Sequence, residues 1–319
     1  QIIYSVGLKE FVQPLSNIGF ILFFAWLGWG PTGALFALSL SLIVTFFAGL
    51  FLLKHLLPEI FYQAESGPWL IKPLLAFSIP VAFTTLFSLN ILWVDRLIVG
   101  ALGTNADLGV YQAVSQSSLV FASILASMNV IFVPMIADLL ELKKKQHLET
   151  LFRVSTKWGL YISFPLAFIL LLKPEAFLVV AFGSDYGDAF RTLQILTIAQ
   201  LINVATGAIN LILIMGGYQI FWMLISATML LMNIVVGIVL VPRLGIEGAA
   251  WGTVIAMLGL GLGGLFYMKL KLNMWPYDRR YLKGITAVLF ALVGGLLIDN
   301  WQLPSLILEL GITSIVICA

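Results

Sequence analysis

Runs of about twenty apolar residues, each closed by Gly, Pro, Asn or charge, recur along the chain at 8–28, 31–53, 73–102, 109–137, 155–172, 189–214, 218–241, 246–268, 281–298 and 303–319. A helix rises about 1.5 Å per residue, so each run crosses a hydrocarbon core of about 30 Å. Barrel strands would show about ten residues of alternating polarity instead, and that alternation is absent. The pattern predicts an all-α polytopic membrane protein with about ten transmembrane helices. Pro80 and Pro134 are expected to bend the helices that carry them.

Composition removes the soluble alternatives. Hydrophobic residues make up 61% of the 319 and charged residues 10%, against about 25% charged in a soluble domain. The one cysteine, Cys318, excludes a disulfide framework, and His55 and His147 leave little for metal chemistry. No Walker loop and no nucleophile–base pair is present, so the chain carries no sign of ATP hydrolysis or of an enzyme site. Neither a metal, a cofactor nor nucleic acid is expected. Of the 17 Lys and Arg, thirteen fall on one side when alternate loops are counted together. Only Arg96, Lys173, Arg191 and Arg243 fall on the other. Positive charge marks the cytoplasmic side, so the segment 141–153, with Lys143, Lys144 and Lys145, is cytoplasmic and Asp95–Arg96 belongs to the outer leaflet. The three lysines also suit anionic lipid head groups.

An internal repeat has an offset of 215: Gly30, Gly33 and Ala34 match Gly245, Gly248 and Ala249, and Gly49, Leu50 and Phe51 match Gly264, Leu265 and Phe266. Six helices per repeat is an even number, so the two units share an orientation and are related by an axis along the membrane normal. The chain opens at Gln1 without methionine and stops within an apolar run. It is therefore expected to be a fragment lacking about four N-terminal helices. The expected division is 1–62 as the last two helices of a first lobe, 63–275 as a complete six-helix lobe, and 276–319 as an additional pair.

Charges and amides inside oily helices are the candidate chemistry, because lipid cannot satisfy them. Asp95 and Arg96 lie eight and seven residues before Gly103, about 12 Å below the end of their helix. They either contact a polar cargo or form a structural pair. Gln112, Gln116, Ser123 and Ser127 share one helical face, with Ser115 and Asn129 beside it. Such a stripe suits a sugar-lined path, or serves as polar glue between helices. Asn90 stands open to the same two readings. Asn203, Asn210 and Asn233 read as interhelical hydrogen-bonding groups.

Three stretches carry a family resemblance: WVDRLIVGALGTNADLGVYQAV (93–114), PEAFLVVAFGSDYGDAFRTLQIL (174–196) and VPRLGIEGAAWGTVIA (241–256). They resemble the multidrug/oligosaccharidyl-lipid/polysaccharide exporter superfamily, within it the O-antigen and capsule repeat-unit flippases. The resemblance implies helices five to fourteen of a two-lobe, 6+6(+2) transporter in the plasma membrane. It implies alternating access that carries a polyprenyl-diphosphate-linked oligosaccharide from the inner to the outer leaflet, with membrane lipids and a glycan polymerase or ligase as partners. Asp95 and Arg96 match the family's charged pair, and Asn90, Gln112, Gln116 and Ser123 complete the substrate-pathway set. Competing readings are a cation-coupled multidrug exporter, against which 74–93 carries no acid, and a lipid II flippase, which would want more arginines than Arg96. A membrane glycan polymerase or ligase would need a larger outer loop with catalytic His or Arg.

Overall fold

The computed structural model describes residues 11–56 and 71–277. Every regular element among them is helical: α1 (Gln13–Trp26), α2 (Gly30–Leu56), α3 (Ile71–Ile91), α4 (Val94–Leu102), α5 (Asn105–Ser118), α6 (Val120–Glu141), α7 (Lys145–Leu172), α8 (Pro174–Phe182), a 3-10 turn (Ser184–Ala189), α9 (Phe190–Thr206), α10 (Ile209–Met215), α11 (Gln219–Leu244) and α12 (Ile246–Leu272). Six of the described helices are long and apolar enough to span a membrane, with α5 and α6 taken as one. The stretch from Ser184 through α9 to α10, bent by 44°, makes a seventh. The expected helices at 281–298 and 303–319 lie outside the described residues. The chain divides into two compact units, Gln1–Ile71 and Lys72–Ala319.

Polarity is distributed as a lipid solvent requires. Leu97, Leu231, Ile131 and Phe266 are each more than 60% exposed, an exposure of large apolar side chains that in water would invite aggregation. Inside the second unit, Val99, Tyr111, Leu170 and Leu193 form one core. Ile136, Phe152, Ile209 and Met268 form another. Ile91, Ala199, Val254 and Met257 form a smaller third.

The repeat has a structural counterpart. Helices α2 and α12 are each 27 residues long, and the matched glycines that precede or open them take the same left-handed backbone, Gly30 at φ 54° and Gly245 at φ 60°. Three residues later, Gly33 and Gly248 mark where each helix crosses its predecessor. A Cβ at Gly33 would lie 2.8 Å from Phe24 Cβ, and one at Gly248 would lie 2.4 Å from the Leu240 carbonyl carbon. Only glycine lets the backbones approach so closely.

Two expectations are corrected. First, the helix expected at 73–102 is broken, and not at Pro80. It runs through Pro80 without interruption and breaks at Leu92 and Trp93. The cause is a competing hydrogen bond: Asn233 Nδ2, from α11, donates to the carbonyl of Ile91 at 3.0 Å. Pro134 likewise sits within an unbroken α6. Second, α7 starts at Lys145 rather than 155. Its first turns are amphipathic, burying Leu148 and Phe152 while exposing Gln146 and Thr150. A search for continuous apolar residues misses a helix of that pattern.

Candidate functional site

The site begins with a tight reversal. Thr104 caps α5 with a reciprocal pair: its Oγ1 accepts from Asp107 N at 3.1 Å, and Asp107 Oδ2 accepts from Thr104 N at 2.9 Å. This is the Thr-x-x-Asp variant of a capping box. It turns the chain so that α5 returns beside α4, bringing Tyr111 to Asp95 sixteen residues away.

Asp95 occupies the first turn of α4, where a negative charge suits the helix end. Its Oδ1 accepts from the backbone N–H of Arg96 at 2.8 Å. Its Oδ2 accepts from Tyr111 Oη at 2.6 Å and from Thr253 Oγ1 at 3.2 Å. One carboxylate thus ties α4, α5 and α12 together, and it is only 3% exposed. A buried carboxylate with three donors is a satisfied group.

Arg96, 6% exposed, turns elsewhere. Its Nε donates to Ser115 Oγ at 3.1 Å, and Ser115 Oγ donates in turn to the Gln112 carbonyl at 3.1 Å. The guanidinium carbon lies 4.2 Å from the centre of the Trp93 ring. Nη1 and Nη2 are buried without a hydrogen-bond partner. Asp95 and Arg96 are therefore interior to the lobe, each facing its own set of neighbours.

The remaining candidates face outward. Gln112, Gln116, Ser123 and Ser127 are all exposed, on a path that continues from α5 into α6 through the turn at Leu119. Val120 interrupts the stripe, and Ile131 and Met135 replace it toward the cytoplasmic end. Ser127 donates to the Ser123 carbonyl at 2.9 Å. Asn90 is half-buried and donates back to the Leu86 carbonyl at 2.7 Å. A hollow of about 610 Å³ lies apart from all six candidates, at the outer ends of α7 and α9. It is bounded by Lys173, Glu175, Phe190 and Gln194. Among the described residues no cluster of three His, Cys, Asp or Glu could hold a metal.

The structure adds residues that pattern reading did not assign. Tyr111, in the Gly-x-Tyr of the quoted motif, is the strongest partner of Asp95. Thr253 is 158 residues from Asp95 and carries no local signal. Asn233 was legible as an interhelical group, but its target, the Ile91 carbonyl at the helix break, was not.

A profile of the polysaccharide biosynthesis protein family matches residues 14–191, more than half of the chain. The capsular polysaccharide biosynthesis protein CapF of Staphylococcus aureus is 26% identical over 182 residues, a match covering 56% of this chain and 45% of that protein. The chain thus aligns with less than half the length of this relative. With its membrane-spanning helices, the chain belongs to the polysaccharide biosynthesis protein family and is a multi-pass membrane protein.

Proposed function

We propose that the chain belongs to a flippase that moves a polyprenyl-diphosphate-linked oligosaccharide from the inner to the outer leaflet by alternating access. The observation that carries this reading is the exposed stripe of Gln112, Gln116, Ser123 and Ser127, set among membrane-spanning helices whose other exposed positions are mostly apolar, Ile131, Leu231 and Phe266 among them. Hydrocarbon offers the Gln112 and Gln116 amides no partner, and an unsatisfied polar group there costs several kcal/mol. Water and sugar hydroxyls offer both donors and acceptors, so the stripe fits the wall of a wet path. The lipid tail of the cargo stays in the bilayer throughout, and no bond is made or broken. Asp95, with Tyr111 and Thr253, holds that wall in shape rather than meeting the cargo. The name of CapF fits a capsule-type repeat unit as cargo. A glycan polymerase or ligase acting on the outer side is the expected partner.

The test is accumulation of lipid-linked glycan on the cytoplasmic face when the gene is deleted, and its relief by the full-length protein. A Gln112→Leu/Gln116→Leu variant replaces both amides with apolar side chains one atom shorter. It is expected to insert normally and to relieve the accumulation poorly. Full relief by that variant would remove the stripe from the path.

A further inference from the structure

The break between α3 and α4 places Trp93 just past the end of α3, whose 21 residues rise about 31 Å and so reach the outer side of a hydrocarbon core of about 30 Å. Trp93 is 50% exposed, and an indole N–H turned toward hydrocarbon would lack an acceptor.

Its surroundings explain the position. Arg96, one helical turn on, lies 4.2 Å from the ring centre and is itself 94% buried, since it is 6% exposed. The guanidinium therefore covers the inward face of the indole and leaves the outward face open. Tryptophan is the best ring partner for such a cation. Arg96 is in turn held through Nε by Ser115, which lies beside Gln112 and Gln116 in α5. Arg96 thus links the indole to the helix that carries Gln112 and Gln116.

We propose that Trp93 is a glycan-stacking residue: its free indole face takes the apolar C–H face of a pyranose ring of the cargo, with Arg96 as the positioning residue behind it. This deepens the flippase reading and rests on it. Stacking of this kind recognises a sugar of any sequence, as a path for a whole repeat unit requires.

The experiment uses full-length protein in lipid nanodiscs and two probes: farnesyl diphosphate bearing an N-acetylhexosamine disaccharide, and farnesyl diphosphate alone. Wild type is expected to bind the glycosylated probe more tightly. Trp93→Phe, which keeps a flat face, retains the preference. Trp93→Leu weakens binding of the glycosylated probe about tenfold, with binding of farnesyl diphosphate and the thermal midpoint unchanged. If Trp93→Leu keeps the wild-type preference, the stacking role is overturned and the flippase reading stands. If Trp93→Leu lowers both affinities and the midpoint together, Trp93 is a packing residue and the proposal is overturned. If wild type shows no preference for the glycosylated probe, the flippase reading fails and takes this proposal with it.

Discussion

The three-donor carboxylate of Asp95 makes a quantitative prediction about stability. Tyr111→Phe removes one bond, of 2.6 Å, and leaves Asp95 with the Arg96 N–H and the Thr253 hydroxyl. Interhelical bonds in membranes are worth about 0.6 kcal/mol on average and up to about 1.7. This one is short, charged and buried, so the cost is expected to be about 1.5 kcal/mol. For a lobe of roughly two hundred residues that lowers the thermal midpoint by about 3–6 °C. Asp95→Ala strands three donors and leaves the buried Arg96 without a nearby counter-charge, which costs about 3–5 kcal/mol. Once Asp95 is gone the phenol has lost its acceptor, so Tyr111→Phe in an Asp95→Ala background is expected to cost little. The coupling between the two sites is therefore about 1–2 kcal/mol. Thermal unfolding of the four proteins in one detergent measures it. Additive losses, or a Tyr111→Phe midpoint within about 1 °C of wild type, would refute the idea that this carboxylate holds α4, α5 and α12 together.

Other positions give separate tests. Gly248→Ala places a Cβ 2.4 Å from backbone of Leu240, whereas a Cβ at Gly109 meets nothing within 4 Å. The first is expected to cost about 1–3 kcal/mol and reduce folded yield, and Gly109→Ala to leave yield unchanged, both read by size-exclusion of fluorescent fusions. Tyr277, beyond the end of α12, donates to the Ala205 carbonyl at 3.1 Å, near the Gly207 break between α9 and α10. Tyr277→Phe should cost about 1 kcal/mol in thermal unfolding. Burial pushes the Tyr277 phenol up to about 12 from an ordinary 10.0. Its contribution to stability is therefore complete below pH 10 and lost as pH rises toward 12, a loss the Phe variant lacks in the same range. Gln112→Leu/Gln116→Leu should reduce glycan translocation with a thermal midpoint near that of wild type, which separates the path from the clamp.

Sequence alone resolved those features that a lipid solvent dictates locally. Apolar runs marked α2, α11 and α12 to within a few residues, because a span must be apolar along its length. Asp95 and Arg96 stood out because charge is costly at that depth. The sequence did not say which way they turn. Burial of Asp95 depends on Thr253, distant in the chain, and on a reversal at Thr104 whose capping pair has meaning only once α4 and α5 are antiparallel. Pro80 drew the eye as a bending point, and α3 runs through it without a break, as membrane helices tolerate proline where neighbours satisfy the freed backbone groups. The actual break arose where Asn233 captured a carbonyl, a contact between residues 142 apart. Periodicity did place Gln112, Gln116, Ser123 and Ser127 on one face, and the structure leaves that face exposed.

The central claim is that this face meets water rather than lipid. With Cys318 replaced by Ser, single cysteines at Gln112, Gln116 and Ser123 can be offered a charged, membrane-impermeant thiol reagent in intact membranes. A cysteine at Leu97, 69% exposed in α4, serves as the lipid-facing control. The account predicts rapid labelling at the three stripe positions, slowed by lipid-linked oligosaccharide, and none at Leu97. Stripe cysteines as unreactive as the one at Leu97, in protein that still transports, would contradict it.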